Sequence, residues 1–488
     1  MKKETMKKFI YLFIGASLLF ISCNKDDDGI NLNPTADDVV VQDFMWKAMN
    51  FWYFWQADVP DLADDRFSTN QEYTEYLQSN PNPGDFYNSL KFNEDRFSGT
   101  NKDFEVLLNS LSGIRKSNGL QAFIADLSSD NTDNLFLFVR NVIPESDAAD
   151  KGIMRGDVFY AIDGQALTAD NFNELLSADT FTLNKGELDV ANRLVNETTE
   201  EITLTKEEDL LEPPIRLATT LDINGTKIGY LMYQRFNRDF KEELNNVFGQ
   251  FVADGVTELV LDLRYNPGGD SATTALLASM IYGTNTNELF IRQRWNSKLQ
   301  SRFSTEQLED YFPSTTGISP VNTLNLTRVY VLATGRSASA SELLINGLDP
   351  YIEVIHIGTT TRGKNEFSIS LVDLPENNYR YSPSTQDQIP SDNKWIIQPL
   401  VGRNENSVGF IDYTAGFTPD FEIVEDVFNL GSFGNVEEPL LAKAIEEITG
   451  VSSKSLNKSR AVNTANDIIT FDYEEKGLMT LNKKIEFK

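Results

Sequence analysis

The sequence ATGRSASASELLINGL, residues 333–348, concentrates hydroxyl side chains where a loop leads into an apolar helical pattern. Thr334, Ser337, Ser339 and Ser341 are each candidate nucleophiles. A serine or threonine hydroxyl attacks efficiently only when a neighbouring base accepts its proton. The chemistry of this stretch therefore depends on which base the rest of the chain can supply.

The chain contains one histidine, His356, within the apolar run EVIHIG. This run is typical of a strand, and no loop begins for two residues after the histidine. We therefore expect a packed histidine rather than a base, which excludes a Ser-His-Asp triad. Metal sites built from several histidines are excluded with it. The single cysteine, Cys23, excludes cysteine-based zinc sites and disulfides within the chain.

Lys364, in the loop sequence TTTRGKNE, is the remaining candidate base. A lysine accepts a proton only as the neutral amine, so its pKa must fall by several units through burial. The nearby Arg362 would lower that pKa further, whereas Glu366 would oppose the shift if its side chain pointed inward. The sequence thus indicates a serine–lysine pair, provided that both residues are buried together.

Three loops follow predicted strands of one region: RYNPGGDS after TELVLDL, TGRSAS after RVYVLAT, and TTTRGKNE after EVIHIG. Ligands bind at the carboxyl ends of strands in open α/β sheets, so we expect these loops to converge. Gly268 and Gly269 of the first loop allow close approach of the main chain and could present N–H groups to a developing oxyanion. A tight turn without a catalytic purpose is the alternative interpretation of NPGG.

A segment before this region changes to the period of strands. LFLFVRNVIPESDAADKGIMRGDVFYAIDGQAL predicts a strand, a short helix, the sequence GIMRGD, a second strand and a DG hairpin turn. This pattern resembles a PDZ domain, in which a peptide adds as a strand and main-chain amides hold its terminal carboxylate. By this resemblance the carboxylate loop comprises Gly119, Leu120, Gln121, Ala122 and Phe123. Gln121 stands where many such domains have a second glycine.

The sequences VYVLATGRSASASELLINGL, IGTTTRGK and VLDLRYNPGG, together with the PDZ-like segment, resemble the C-terminal processing (tail-specific) peptidases. That family uses a Ser–Lys dyad, with the serine three residues before the glutamate of SxSE and the lysine 25 positions after the serine. Counting back from Glu342 gives Ser339, and the lysine position is Lys364. The resemblance implies that Ser339 is the nucleophile and Lys364 the general base. Ser337 and Ser341 are then expected to satisfy main-chain groups.

The resemblance also implies an oxyanion hole formed by the N–H of Ala340 and by that of Gly268 or Gly269. Many family members orient the lysine with a glutamine four residues later, whereas this chain has Ser368, whose hydroxyl could take that role. No cofactor and no metal ion is implied. The expected substrates are protein or peptide C-termini that dock in the PDZ-like groove.

The fold class that follows is a multidomain α/β protein. It combines a small helical N-terminal region, a PDZ-like β-rich domain and an α/β peptidase core with a largely parallel sheet, because strands and helices alternate in the core. The predicted boundaries are 1–23 for a signal peptide, 24–35 for an acidic linker, 36–110 for the helical region, 111–212 for the PDZ-like domain, 213–450 for the core and 451–488 for a polar tail.

The N-terminus has a basic start, an apolar run from Phe9 to Ile21 and a small residue before Cys23, which is the layout of a secretory signal. Cys23 follows LFIS and resembles the acylated cysteine of a bacterial lipobox. The sequence NKDDDG after it resembles an export signal that sends some lipoproteins to the cell surface, with a solvated acidic linker as the alternative. We therefore expect an outer membrane lipoprotein, extracytoplasmic and attached to the membrane only through its lipid anchor.

The formal net charge of −30 argues against nucleic acid as a partner, because a phosphate backbone requires a basic face. Two other functions remain open beside peptide hydrolysis. The core could be catalytically silent, so that the protein is a surface peptide-binding lipoprotein. The same Ser–Lys pair could also hydrolyse a non-peptide acyl bond.

Overall fold

The computed structural model describes residues 32–127, 135–451 and 479–480. The predicted signal peptide, Cys23 and the acidic stretch after it lie outside these residues. Across the described ranges, no helix is both long enough and apolar enough to cross a membrane.

The N-terminal region is mainly helical. Its elements are α1 (Val40–Trp52), α2 (Asn70–Gln78), α3 (Pro83–Ser89), β1 (Gly99–Asn101) and α4 (Phe104–Leu111). The apolar face of α1 buries Trp46 and Trp52 completely, in the same continuous core as the central sheet. The Trp52 indole N–H donates to the carbonyl of Asn378 at 2.7 Å, so the helical region is packed directly on the core.

A β-rich domain follows. Its elements are β2 (Ile114–Ser117), β3 (Leu120–Asp126), β4 (Leu135–Val142), α5 (Asp147–Asp150), β5 (Val158–Ile162), β6 (Gln165–Ala166), α6 (Phe172–Ser177), β7 (Thr180–Asp189), β8 (Leu194–Thr205) and β9 (Glu207–Leu211). The main sheet has the order β3-β4-β5-β7-β8, all antiparallel, so β3 is an edge strand. Alternate apolar residues of the strands form a separate core with Phe172 of α6.

The remaining elements build the core domain. They are β10 (Ile215–Ile223), β11 (Thr226–Tyr233), α7 (Lys241–Asp254), β12 (Glu258–Asp262), β13 (Gly269–Asp270), α8 (Ser271–Ile281), β14 (Leu289–Trp295), α9 (Ser297–Gln300), α10 (Thr305–Leu308), β15 (Glu309–Tyr311), β16 (Arg328–Ala333), α11 (Ala340–Leu348), β17 (Glu353–Gly358), β18 (Glu366–Ser368), β19 (Leu371–Val372), β20 (Ile396–Gln398), β21 (Leu400–Asn406), β22 (Phe421–Glu422), α12 (Pro439–Thr449) and β23 (Met479–Thr480).

The central sheet has the order β10-β11-β12-β16-β17-β22. Only the β10–β11 pair is antiparallel, which confirms the predicted, largely parallel sheet. Because side chains alternate along a strand, Leu259 and Leu261 of β12 pack into the core that contains α7, α8 and α11. Val260 packs on the opposite face, with α12.

Two further sheets, one of three strands and one of six, complete the fold. One has the order β1-β20-β19, and the other has the order β13-β23-β18-β21-β14-β15. The second sheet bears on the candidate site because β13 begins at the last glycine of NPGG and β18 begins two residues after Lys364.

Candidate active site

The three loops predicted to converge meet at the carboxyl ends of β12, β16 and β17. The Ser337 hydroxyl donates to the carbonyl of Leu263 at 2.7 Å, and the Ser337 carbonyl accepts from the Arg362 N–H at 3.0 Å. The Ala338 N–H donates to the carbonyl of Asn266 at 3.1 Å. These direct bonds confirm the predicted convergence.

Three of the four candidate hydroxyls bond to the main chain. Ser337 donates to Leu263 as above, the Ser341 hydroxyl donates to the carbonyl of Asn266 at 3.0 Å, and the Thr334 hydroxyl donates to the carbonyl of Arg264. The expectation that Ser337 and Ser341 satisfy main-chain groups is confirmed.

Ser339 is different from these three. It lies at the start of α11 with φ 62° and ψ −108°, a conformation that L-residues rarely adopt. The side chain is fully buried, and although its Oγ is placed to cap the Glu342 N–H of α11, the hydroxyl proton has no acceptor among the described residues. Strain and an unsatisfied hydroxyl both cost free energy, and they cluster at functional sites. The local structure therefore singles out Ser339 among the four.

The carboxylate of Glu342 connects the Ser339 and Lys364 segments. Its Oε2 accepts the main-chain N–H of Ser339 at 2.8 Å and that of Lys364 at 2.9 Å, so the two main chains are separated by a single oxygen atom. Oε1 accepts the Gly363 N–H and the Thr361 hydroxyl, both at 2.6 Å. Burial raises the pKa of Glu342, and the four hydrogen bonds oppose that shift. In the sequence, Glu342 served only to locate Ser339 within the SxSE pattern, and no role was predicted for its carboxylate.

Lys364 is fully buried, as a lysine base requires. Its Nζ lies 5.2 Å from the ring centroid of Phe97, a residue of the N-terminal region. The Arg96 guanidinium beside it donates to the carbonyl of Gly363, which fixes the lysine loop from the same side. Glu366 points to Arg403 and forms an ion pair with it at 3.0 Å.

The NPGG turn packs against the start of α11. A Cβ placed on Gly268, which has φ 112°, would lie 2.8 Å from Ser339 Cβ and 2.9 Å from the Ala340 nitrogen. The Gly268 N–H donates to Asn266 Oδ1 at 2.8 Å, so it is already engaged within the turn. Asn266 in turn donates from its amide to the carbonyl of Tyr233 at 2.9 Å. Sequence reasoning did not assign a role to this asparagine.

Ala340 begins α11, and the N–H groups of a helix's first residues have no acceptor within the helix. Ser368 ends β18 and is buried. Ala340 directly follows Ser339 along the chain, and Ser368 lies four residues after Lys364.

A buried cluster of charged side chains contacts the loops of the candidate site. Arg264 is fully buried and donates to Asp262 at 2.8 Å and to Glu438 at 2.7 Å. Its carbonyl accepts the Thr334 hydroxyl, so the cluster is bonded to the serine loop. The signal in the sequence was a charged pair, Asp262 and Arg264, within an otherwise apolar strand end.

The predicted PDZ-like carboxylate loop lies at the start of β3. Gly119 has φ 83° in the turn before the strand, and the next four residues, Leu120, Gln121, Ala122 and Phe123, pair with β4. The Gln121 amide donates to Glu212 and its carbonyl accepts from Asn141 at 2.7 Å.

His356 lies in β17, as predicted, with Nε2 3.2 Å from the carbonyl of Ala333. Burial lowers the pKa of this imidazole below its usual value. In the part of the chain that the structure describes, no cluster of histidine, cysteine, aspartate or glutamate side chains could hold a metal ion.

Two segments match known protein families. Residues 227–400 match peptidase family S41, and residues 40–99 match the peptidase S41 N-terminal domain. The first match contains all three loops of the candidate site.

The chain is also similar in sequence to individual proteases. The chain is 25% identical over 262 residues to the carboxy-terminal-processing protease of Bartonella bacilliformis and 27% identical over 242 residues to the carboxyl-terminal-processing protease of a Picosynechococcus species. These alignments cover 50% and 48% of this chain. Each covers 52% of the relative, so the chain spans about half the length of the curated relatives it matches.

The fold is similar to that of a putative S41 protease from Bacteroides fragilis. The two structures superpose with a TM-score of 0.67 at 26% sequence identity, over 84% of this chain and 97% of the other. The similarity thus extends over the helical region, the β-rich domain and the core.

Proposed function

We propose that the chain, which matches peptidase family S41 over residues 227–400 and the N-terminal domain of that family over residues 40–99, is a serine endopeptidase of the C-terminal processing type, with Ser339 as nucleophile and Lys364 as general base. The observation that carries the proposal is the Glu342 carboxylate, which holds the main chains of both residues on one oxygen atom. Both side chains are buried, and the Ser339 main chain is strained. Ser339 Oγ has no hydrogen-bond acceptor among the described residues, so the proposed proton transfer requires the Ser339 and Lys364 side chains to approach each other within the segments that Glu342 connects.

In the proposed reaction the neutral Lys364 amine accepts the Ser339 proton while Ser339 Oγ attacks the scissile carbonyl carbon. The lysine then donates that proton to the leaving amine, and a water molecule hydrolyses the acyl-enzyme. Complete burial disfavours the charged ammonium, and the cation–π contact of Nζ with the Phe97 ring opposes this effect only weakly. Activity is therefore expected to rise with pH and to persist on the alkaline side.

The oxyanion is assigned to the main-chain N–H groups of Gly269 and Ala340. Gly268 is the weaker candidate of the two glycines because its N–H already donates to Asn266. The Ala340 N–H is favoured by its place at the N-terminal end of α11, where the helix dipole stabilises negative charge. Ser368 remains the candidate for orienting the lysine.

The β-rich domain is proposed to act as a PDZ domain that docks substrate C-termini. Its β3 is an edge strand, and the residues that start it, Gly119 to Phe123, would bind a peptide by strand addition. Leu175 and Leu176 of α6 and Leu120 of β3 pack on the same core, which gives the docking edge an apolar floor.

We place this peptidase outside the cytoplasm, as an outer membrane lipoprotein anchored through Cys23. The support is the signal-like N-terminus and the lipobox-like position of that cysteine. Metabolic labelling with a fatty acid analogue should mark the wild type and leave Cys23→Ala unlabelled.

The test of the catalytic assignment is hydrolysis of an unstructured fluorogenic peptide by Ser339→Ala and Lys364→Met. Both variants should lose turnover by at least about 1,000-fold, because a nucleophile and its base act as a unit. Ser341→Ala, which removes a hydroxyl from the same helix turn, should keep measurable turnover. Wild-type turnover by Ser339→Ala would contradict the assignment, and peptide binding without any turnover by the wild type would indicate a silent binding protein.

A further inference from the structure

A two-residue strand from the C-terminal part of the chain lies in the candidate site. Strand β23, Met479–Thr480, runs parallel to β13, with Met479 opposite Gly269 and Thr480 opposite Asp270. On its other side Thr480 pairs in parallel with Ser368 of β18. The sheet order β13-β23-β18 therefore places this segment between two strands that do not pair with each other.

Both flanking strands belong to the site. β13 begins at Gly269, the neighbour of Gly268, whose backbone packs on Ser339 and Ala340. β18 begins two residues after Lys364. A main chain between β13 and β18 is consequently bordered by the strand that begins at Gly269 on one side and by the strand that follows Lys364 on the other.

The edge of β13 that faces β23 is available for an added strand. On the opposite edge, Phe236 donates its N–H to the carbonyl of Gly268 at 2.9 Å, and its carbonyl accepts the Asp270 N–H at 2.8 Å. Hydrogen-bonding groups of successive strand residues point to opposite edges, so Gly269 presents its main-chain groups towards β23. Such an edge accepts any extended chain through main-chain bonds, with little dependence on sequence.

The geometry points to an autoinhibitory role for this segment: Met479–Thr480 occupies, as a strand, the slot between β13 and β18 in which an extended substrate would lie. This inference rests on the proposed peptidase function and adds its regulation. The tether makes even a short strand effective, because an intramolecular ligand acts at an effective concentration on the order of millimolar. Substrate must displace the segment, so the segment acts as a competitive inhibitor that raises KM and leaves kcat unchanged.

The test uses the full-length chain with the double substitution Met479→Pro and Thr480→Pro. Proline has no N–H and cannot donate to a neighbouring strand. For an unstructured fluorogenic peptide, KM should fall by about two- to tenfold with the same kcat, as expected for loss of a millimolar-range tethered competitor. The control is the double alanine variant, Met479→Ala and Thr480→Ala, which keeps both main-chain N–H groups. Its KM should lie closer to the wild-type value than the KM of the proline variant does.

A binding measurement separates this inference from the proposed function. In a Ser339→Ala background, fluorescence anisotropy of a labelled peptide should give a lower Kd for the proline variant than for its parent, by the same factor as KM. If neither the wild type nor any variant hydrolyses the peptide but the proline variant still has the lower Kd, the peptidase assignment is wrong and the inference that Met479–Thr480 blocks peptide binding is retained. Equal Kd and KM with and without the prolines would overturn the inference. Loss of the C-terminal segment from the wild type but not from Ser339→Ala, seen by intact mass, would also overturn it, because the segment would then be a substrate.

Discussion

At the scale of single residues, the Glu342 carboxylate controls the geometry of the proposed dyad. It accepts four hydrogen bonds, from three main-chain N–H groups and one hydroxyl, and both oxygens are used. The residues that it connects lie on two different loops, after β16 and after β17. A buried acceptor surrounded by donors is costly to alter, since any mismatch leaves an unsatisfied polar group.

Glu342→Gln is expected to lower both stability and turnover. An amide presents one carbonyl oxygen and one NH₂ group, so donors that met a carboxylate oxygen would face another donor. We expect the free energy of unfolding to fall by about 2 kcal/mol, measured by urea unfolding. Turnover should fall by at least about tenfold, since Ser339 and Lys364 lose their common acceptor.

Glu258→Gln is the matched control for this change. Glu258 pairs with Arg328 at 2.7 Å at the opposite end of the central sheet, where the arginine side chain is partly exposed. Its loss should cost less than about 1 kcal/mol and leave turnover at the wild-type value. Wild-type turnover by Glu342→Gln would show that the carboxylate does not position the dyad.

At the scale of elements, the NPGG turn and the first turn of α11 are packed without space for a side chain. Gly268→Ala should therefore displace Ser339 and Ala340, since the new Cβ would lie closer than 3 Å to atoms of both. Gly225→Ala is a matched control, because it has φ 88° in a hairpin and its Cβ would meet no atom within 4 Å.

The two glycine variants should separate backbone strain from steric displacement. Gly225→Ala should cost about 1 kcal/mol of unfolding free energy with unchanged turnover, because only the unfavourable φ is added. Gly268→Ala should cost more and should lower turnover by about 100-fold, as expected when an oxyanion-hole donor is displaced. Equal turnover in the two variants would exclude the turn from the site.

The elements differ in how far the sequence predicts them. Alternating apolar strands and helices predicted the parallel central sheet and the convergence of its three loops, because that topology follows from period and chain direction alone. The spacing of Ser339 and Lys364 followed from family resemblance. The short strands β13, β18 and β23 were not predicted, since two or three residues carry no period and their pairing depends on contacts far apart in the chain. The contacts of Glu342 were not predicted for the same reason, because Gly363 and Lys364 lie 21 and 22 residues away from it along the chain.

At the scale of the whole molecule, Arg155 bonds the β-rich domain to the charged cluster that contacts the loops of the proposed active site. Arg155, in the predicted GIMRGD motif, donates to the Tyr265 hydroxyl at 2.9 Å and to Glu425 at 2.7 Å. Tyr265 directly precedes Asn266 of the NPGG turn, and Glu425 also pairs with Arg264 at 3.2 Å. Although burial alone would raise it, the charges of Arg155 and Arg264 lower the pKa of Glu425 to about 2.

Arg155→Met should uncouple the β-rich domain from the core at neutral pH. Removing one partner of a buried ion pair lowers the free energy of unfolding by about 3 kcal/mol. The control is Arg193→Met, which breaks an ion pair with Asp426. The Arg193 side chain is 33% exposed, so this loss should be less than about 1 kcal/mol. The Arg155 contribution depends on an ionised Glu425 whose folded-state pKa is depressed. It is therefore fully present above the unfolded-state pKa near 4.5 and is lost as pH falls towards 2. Urea unfolding should therefore show a smaller difference in unfolding free energy between the wild type and Arg155→Met at pH 3.5 than at pH 7. A difference that does not change with pH would assign the effect of Arg155 to packing on Tyr265 instead of to its charge.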